Sequence, residues 1–550
     1  MRNFLSKSAL RFGLRSLLLL PVFFVGETCT KLTEVPHDAL TPATAFHTDQ
    51  EVLAGVAGVY AQLRAVEWVG YETLEDLTTD VSVVPTRGSD WYDNGQWLDL
   101  HRQTWTPNSA GTLAFLDGAY NDLFSGVAKA NLMLDVIKTA SPSNKDQLTA
   151  ELRALRAWYY YMLQDMFGGV PLVTSTALAQ APRVTRDSVF RFLVKELSES
   201  ATLLPAKWDA ANYGRLTKGA ANAILASLYL NAGVFNKDCG PADCSGKVSA
   251  SAYNTCNVTV PGATNGCAGA ITAASAVLND PNYQLNPNWS KNFSTDNKSS
   301  KENIFVVVHT NGTQAIGGNW PMRTLHYNQL NTGDGAPWNG FATIAETYNQ
   351  FTATDVRRSM WLAGQGFSFE SGQPVNDRTG APLNFTPAIA NLNAASEGEG
   401  VRFNKFPPQP DPPHGSAQPN DFTFFRLAEM YLIKAEAENE LGQTAQAIAD
   451  LKSVHDLRDP GTPISAALSA AQVRDAIYKE RLLEFAAEGK RRTDMIRYGR
   501  FLSWTESSAN GVCGANPAAG CPARAAHRIV FPISVNALGS NPALKQNFGY

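Results

Sequence analysis

The sequence predicts a mainly α-helical fold, with tetratricopeptide-like helical repeats packed against an irregular, loop-rich region that holds a few short strands. Segments of helical length, short of internal Gly and Pro, recur through the chain. Residues 425 to 458 read as a helical hairpin. Between residues 285 and 425 the composition turns to Asn, Gly, Pro and aromatics, and only brief strand-like runs such as IFVVV at 304 to 308 interrupt it. Paired helices each carry an apolar face they cannot bury alone, so they stack into repeats. A strict repeat consensus is absent.

The N-terminus carries Arg2, Lys7, Arg11 and Arg15 ahead of an apolar stretch from Leu17 to Gly26. That is the anatomy of a secretory signal, assigned to residues 1–28, and the stretch is too short to span a bilayer. No later segment supplies the roughly 20 predominantly apolar residues a transmembrane helix needs. Residues 30 to 40 read as an extended tether. Asp49 to Arg64 then forms an amphipathic helix on Val52, Val56, Val59, Tyr60 and Leu63. Further helices are expected over Leu116 to Lys138, Lys145 to Phe167, Asp187 to Leu204, Thr217 to Ala232, and the pair from Arg426 to Arg458. In that pair Leu427, Met430, Tyr431 and Ala435 share one stripe, Gly442 takes the left-handed C-terminal position, and Thr444 caps the second helix. The expected organisation is an N-terminal helical-repeat region at 29–234, a cysteine-containing loop insertion and linker at 235–300, and a C-terminal region at 301–550 interlocked with the first.

Of seven cysteines, Cys239, Cys244, Cys256, Cys267, Cys513 and Cys521 make an even set in Gly, Asn and Pro-rich loops, and Cys29 is left over at the signal boundary. In an exported chain the six are expected as disulfides, Cys513 with Cys521 and the other four among themselves. Zinc is the competing state, but these spacings fit no common finger. Net charge is −4, with no basic run beyond the signal and the short Lys490 to Arg492 cluster, so nucleic acid is excluded as a partner. The eight histidines never fall in HxxxH or HxH spacing, and there is no Gly-x-Ser-x-Gly elbow and no P-loop. No enzyme activity, metal or cofactor is expected.

Glu480, Glu484 and Glu488 stack at successive i+4 positions and would repel unless cations reach them; Arg481, Arg491, Arg492 and Arg497 stand nearby in sequence. Paired carboxylates invite a glycosidase reading, but shared helix and adjacent arginines favour a charge-satisfied internal network. This stretch, FRLAEMYLIKAEAENELG followed by IYKERLLEFAAEGKRRTDMIRYGR, resembles the most characteristic block of the SusD/RagB family. ELRALRAWYYYMLQDMFGGVPL, GRLTKGAANAILASLYLNAG and FPISVNALGSNPALKQNFGY resemble further blocks of that family, in its order. The resemblance covers nearly the whole mature chain. It implies four tetratricopeptide-like units and a non-catalytic outer-membrane lipoprotein that binds nutrients, usually glycans, for a TonB-dependent SusC-like transporter. It also implies acylation at Cys29, although Glu27 and Thr28 depart from the usual Leu-then-small approach to the cysteine. A helical scaffold with only protein ligands, or a family member that binds peptide or glycoprotein, is the alternative.

The ligand-binding candidates lie in TRGSDWYDNGQWLDLHRQTW, residues 86 to 105, which holds three of the eleven tryptophans. Flat indoles suit the C–H faces of a pyranose, and carboxylate, amide and guanidinium groups suit its hydroxyls. Arg87, Asp90, Trp91, Asn94 and Trp97 are therefore chosen, and Trp105 is read as a core peg. A second aromatic set comprises Trp320, His326, Tyr327 and Trp338. Trp320 joins the candidates, with core packing as its alternative, and Trp338 is read as a structural turn.

Overall fold

The computed structural model describes residues 46–177, 180–237, 248–310, 317–409, 415–512 and 524–550. Helices α1 (Asp49–Ala61), α2 (Gln96–His101), α3 (Asp117–Ala140), α4 (Lys145–Phe167), α5 (Arg186–Leu203) and α6 (Lys218–Leu230) form the first half. Helices α7 (Gly266–Leu278), α8 (Leu427–Glu440), α9 (Thr444–Arg458), α10 (Ala470–Phe485) and α11 (Arg491–Arg497) follow. From α3 onward each long helix packs on the next: α3 on α4, α4 on α5, α5 on α6, α6 on α7, α7 on α8, and α8 on both α9 and α10. This is the stacking of a helical-repeat array. Helix α4 is buried on nearly every face.

Three two-stranded antiparallel ribbons make up the strand content of the described residues. The longest pairs Asn303–Val307 with Phe422–Arg426, confirming the strand read at IFVVV. It docks on α4 through Trp158, whose ring lies 4.9 to 5.6 Å from those of Phe305, Phe424 and Phe425. The irregular half is thereby welded to the repeats by aromatic packing.

The predicted helices stand within a few residues of their expected ends, with two local corrections. Gly442 does adopt the left-handed conformation, with φ of 78°. Thr444, however, is the first residue of α9 and not its cap; Gln443 occupies the N-cap and makes no side-chain capping bond. The linker assigned to 235–300 also contains a core helix, α7, between α6 and α8. Its sequence, GCAGAITAASAVL, is built from small residues that let it lie close to its neighbours, and the disulfide Cys256–Cys267 fastens the preceding loop to its first turn. Cys29, Cys239, Cys244, Cys513 and Cys521 lie outside the described residues.

The carboxylate stack is internal, as expected, but its partners are not the arginines beside it. Glu480 pairs with Arg357 at 2.6 Å and His455 at 2.6 Å. Glu484 meets Arg357 and Arg426, each at 2.9 Å, and Arg458 at 3.4 Å. Glu488, just beyond the end of α10, pairs with Lys405 at 2.5 Å and Arg426 at 2.7 Å. The arginines nearby in sequence go elsewhere: Arg481 to Glu429 and Asp494, Arg491 to Asp80, Arg492 to Glu75 and Asp165, and Arg497 to Glu436 and Asp494. All three stacked glutamates are buried and engaged, so none lines a substrate cleft.

Asp76 borders this network and accepts the Gly489 N–H at 3.1 Å. Burial pushes its carboxyl up from 3.8 to about 8, against that hydrogen bond and the charge of Lys405. An acid with a raised folded pKa is protonated in the fold and ionised in the unfolded chain. Its cost to stability therefore grows as pH rises from 3.8 to about 8. Asp76→Asn is expected to be more stable than the parent at pH 8, with the advantage gone near pH 4, as read from thermal melts at the two values.

Candidate functional site

The segment from Arg87 to Gly95 is a tight loop in which Trp91, Asp93 and Asn94 all have positive φ, at 62°, 38° and 57°. Left-handed backbone at non-glycine residues costs free energy and persists where surrounding contacts over-determine it; such strain clusters at functional sites. Arg87 supplies much of that determination. It is only 2% exposed, and its guanidinium donates to the carbonyls of Asn339 and Gly340 at 3.0 Å, Glu399 at 2.9 Å and Ser396 at 3.2 Å. Burial lowers its pKa to about 10. Arg87 is thus the clamp that ties this loop to the 339–340 and 396–399 segments.

Trp97 and Trp320 are likewise internal. Trp97 is 5% exposed on α2, donates to Asp93 at 2.8 Å and packs its ring 4.8 Å from Phe115. Trp320 is 4% exposed and stacks parallel to Phe406. Arg87, Trp97 and Trp320, expected from the sequence at the ligand, thus lie inside the fold, where each supports the loop or packs the core. Trp105 is fully buried and donates to the Tyr550 hydroxyl at 2.8 Å, as a core peg should.

What reaches the surface is a different combination. Trp338 is 40% exposed and Tyr92 59%, so the reading of Trp338 as a filler at a core edge is corrected. Half-buried Trp91 joins them: its indole N–H donates to the Trp338 carbonyl at 2.6 Å and the two ring centroids lie 6.5 Å apart. The Trp91 ring crosses Gly340 so closely that a Cβ there would stand 2.3 Å from it. Beside the aromatics, Asp90 accepts from the Tyr327 hydroxyl at 2.6 Å and from Arg378 at 2.7 Å. The hydrogen bond from Tyr327 comes first among the causes that hold the Asp90 carboxyl below its ordinary value. Arg378 lies 4.1 Å over the Tyr327 ring and also pairs with Glu397, which His326 reaches at 2.9 Å. Asn94 is exposed at the loop tip. The structure therefore brings Asp90 and Trp91 into one surface with Trp338, Tyr327 and Arg378, and leaves Asn94 at its margin. Such a surface offers apolar ring faces flanked by hydrogen-bonding groups. Tyr92, Tyr327, Trp338 and Arg378 were not among the residues chosen from sequence. The only cue was local, an aromatic residue set among Asn, Gly and Asp.

Among the described residues no group of three His, Cys, Asp or Glu side chains could hold a metal, and no helix is long and apolar enough to cross a membrane. The fold is that of a helical-repeat protein that presents an exposed aromatic surface. Residues 276–550 match the family model described as "SusD family", and residues 38–230 match one described as "Starch-binding associating with outer membrane". The chain belongs to the SusD family, whose members are non-catalytic binding proteins of the outer-membrane surface. SusD-like protein P25 of Formosa agariphila is 24% identical over 527 residues, 86% of this chain and 87% of that protein. Starch-binding protein SusD of Bacteroides thetaiotaomicron is 23% identical over 516 residues, 84% and 82% of the two chains. The surface glycan-binding protein A structure from Bacteroides thetaiotaomicron superposes with a TM-score of 0.68 at 20% identity, covering 92% of this chain and 100% of that one, a likeness of fold.

Proposed function

We propose that this protein captures oligosaccharide or polysaccharide at the cell surface and delivers it to a TonB-dependent SusC-like outer-membrane transporter. The observation that carries the reading is exposed Tyr92 and half-buried Trp91 on a strained loop, with exposed Trp338 held against Trp91 and with Asp90 and Arg378 beside them. Exposing large aromatic area to water forgoes about 1.5–3 kcal/mol of burial per large side chain, so a built cluster of this kind suits a ligand that covers it. A relative named as starch-binding supports a glycan as the cargo. A glycan array probed with the whole protein is expected to show retention of at least one polysaccharide class. Absence of retention across plant, algal and microbial glycans would remove the reading.

Membrane attachment through a diacylated Cys29 belongs to the same proposal, and the signal anatomy together with the odd cysteine supports it. In a fatty-acid labelling experiment in cells, the wild-type chain is expected to take up label and Cys29→Ser to lose it. Equal labelling of both would place the anchor elsewhere.

A further inference from the structure

A cavity of about 320 Å³ opens between the loop preceding α6, the turn at residues 281–283 and the segment 298–303. None of its lining residues belongs to the surface around Trp91 and Trp338. Its volume falls within the roughly 300–1,000 Å³ usual for small-ligand sites. Two of its walls are aromatic. Trp208 is half-buried, with its indole N–H fixed on the Leu216 carbonyl at 2.9 Å and the Arg215 guanidinium 3.8 Å from its ring. Tyr283 is also half-buried, and its hydroxyl lies 2.9 Å from that of Thr217.

Three exposed lysines, Lys207, Lys298 and Lys301, line the same cavity, and none forms an ion pair among the described residues. Among the nearby carboxylates, Asp421 accepts the His309 N–H at 2.7 Å and also acts electrostatically on Lys298. Glu151 is taken by Arg215 at 2.6 Å and by the Tyr60 hydroxyl, Asp209 by the Asn212 amide at 2.9 Å, and Asp280 by the Asn282 amide at 2.7 Å. Three exposed lysines thus line one cavity in a chain whose net charge is −4, with Asp209 and Asp280 close by and still charged, since a neutral amide partner does not cancel a carboxylate. Scattered surface lysines are ordinarily just solvated. Gathered around a concave, partly apolar pocket, they raise the local concentration of anions and fix their orientation.

We propose that this cavity binds an anionic saccharide unit, with a carboxylate or sulfate group set among Lys207, Lys298 and Lys301 and a sugar face against the Trp208 and Tyr283 walls. The site is separate from the aromatic surface of Trp91 and Trp338. It would let the protein hold an acidic branch or a charged substituent of a longer chain independently of that surface.

Calorimetry with the whole protein tests this using three probes: a glucuronate-containing tetrasaccharide, the same tetrasaccharide with its carboxyl groups reduced to alcohols, and a sulfated neutral tetrasaccharide. At least one anionic probe is expected to bind ten times or more tightly than the reduced probe, and to weaken as salt rises. Lys298→Glu combined with Lys301→Glu is expected to abolish that preference without moving the melting temperature, because both side chains are exposed. Trp338→Ala is expected to leave it intact, which separates this site from the proposed neutral-glycan surface. Preference for the carboxylate or for the sulfate probe identifies the source of the charge. Equal binding of reduced and anionic probes, no binding of either anionic probe, or an unchanged preference in the double lysine variant would each overturn the proposal.

Discussion

Glu484→Gln is expected to destabilise the protein by about 3–5 kcal/mol, the scale seen when one partner of a buried ion pair is removed and the other is left uncompensated. Glu484 is fully buried on α10 and faces three guanidiniums, those of Arg357, Arg426 and Arg458. The surrounding cluster balances five carboxylates, Glu302, Asp355, Glu480, Glu484 and Glu488, against Arg357, Arg426, Arg458, Lys405 and His455. Burial alone would raise the Glu484 pKa, but Arg458, Arg426 and Arg357 outweigh it and hold the carboxyl well below the usual range. Because the folded value is depressed, the stabilisation is fully present above the ordinary Glu value of 4.5 and is lost as pH falls toward the folded value. His455 runs the other way. Burial lowers its pKa, but the hydrogen bond and charge of Glu480 raise it above 6.5, so its contribution is present at low pH and lost as pH rises through the folded value. The penalty of Glu484→Gln is thus expected to be largest near neutral pH and to shrink in acid. Urea unfolding at pH 7 that gave the same midpoint for variant and parent would sink the account.

How much of this was legible in advance depended on side-chain size and on distance along the chain. The helices α1, α3, α4, α5, α6, α8 and α9 carry stripes of large apolar residues, and the 3.6-residue period shows them. Helix α7 lacks such a stripe: Gly, Ala, Ser and Thr dominate it, and what makes it a core element is the closeness those small residues allow. The burial of Glu480 and Glu484 followed from their spacing, but their cations did not. Arg357 lies 123 and 127 positions from the two glutamates, so pairing was decided by where the irregular half docks on α10. The candidate surface shows the same limit. A loop rich in Trp, Asp and Asn could be recognised from composition, but which indole turns inward depends on elements far away in sequence. Phe115 and Phe341 enclose Trp97, and Phe406 and Phe341 enclose Trp320. Trp338 protrudes because the bonds from its own N–H to the Met322 carbonyl and from Trp91 to its carbonyl hold the backbone and leave the ring outside.

That division of labour among tryptophans gives the second large effect. Trp97→Ala is expected to cost about 3–5 kcal/mol of stability, since it empties a buried indole site between Phe115, Phe341 and Trp91. It should weaken ligand binding only in so far as the loop loses its support. Trp338→Ala should do the reverse. Its ring is 40% exposed, so little packing is lost and the melt should stay close to that of the parent. If the indole anchors a sugar, truncation should cost about 2 kcal/mol or more of binding, which is well over tenfold in affinity. Trp91→Ala should show both effects, because its ring supports Trp338 and Trp97 while one part of it faces outward. Calorimetry against the polysaccharide retained on the array, with thermal melts of the same samples, separates the three. Should Trp338→Ala bind as tightly as the parent while remaining folded, the surface around Trp91 is not where the glycan lies, however well its chemistry suits one.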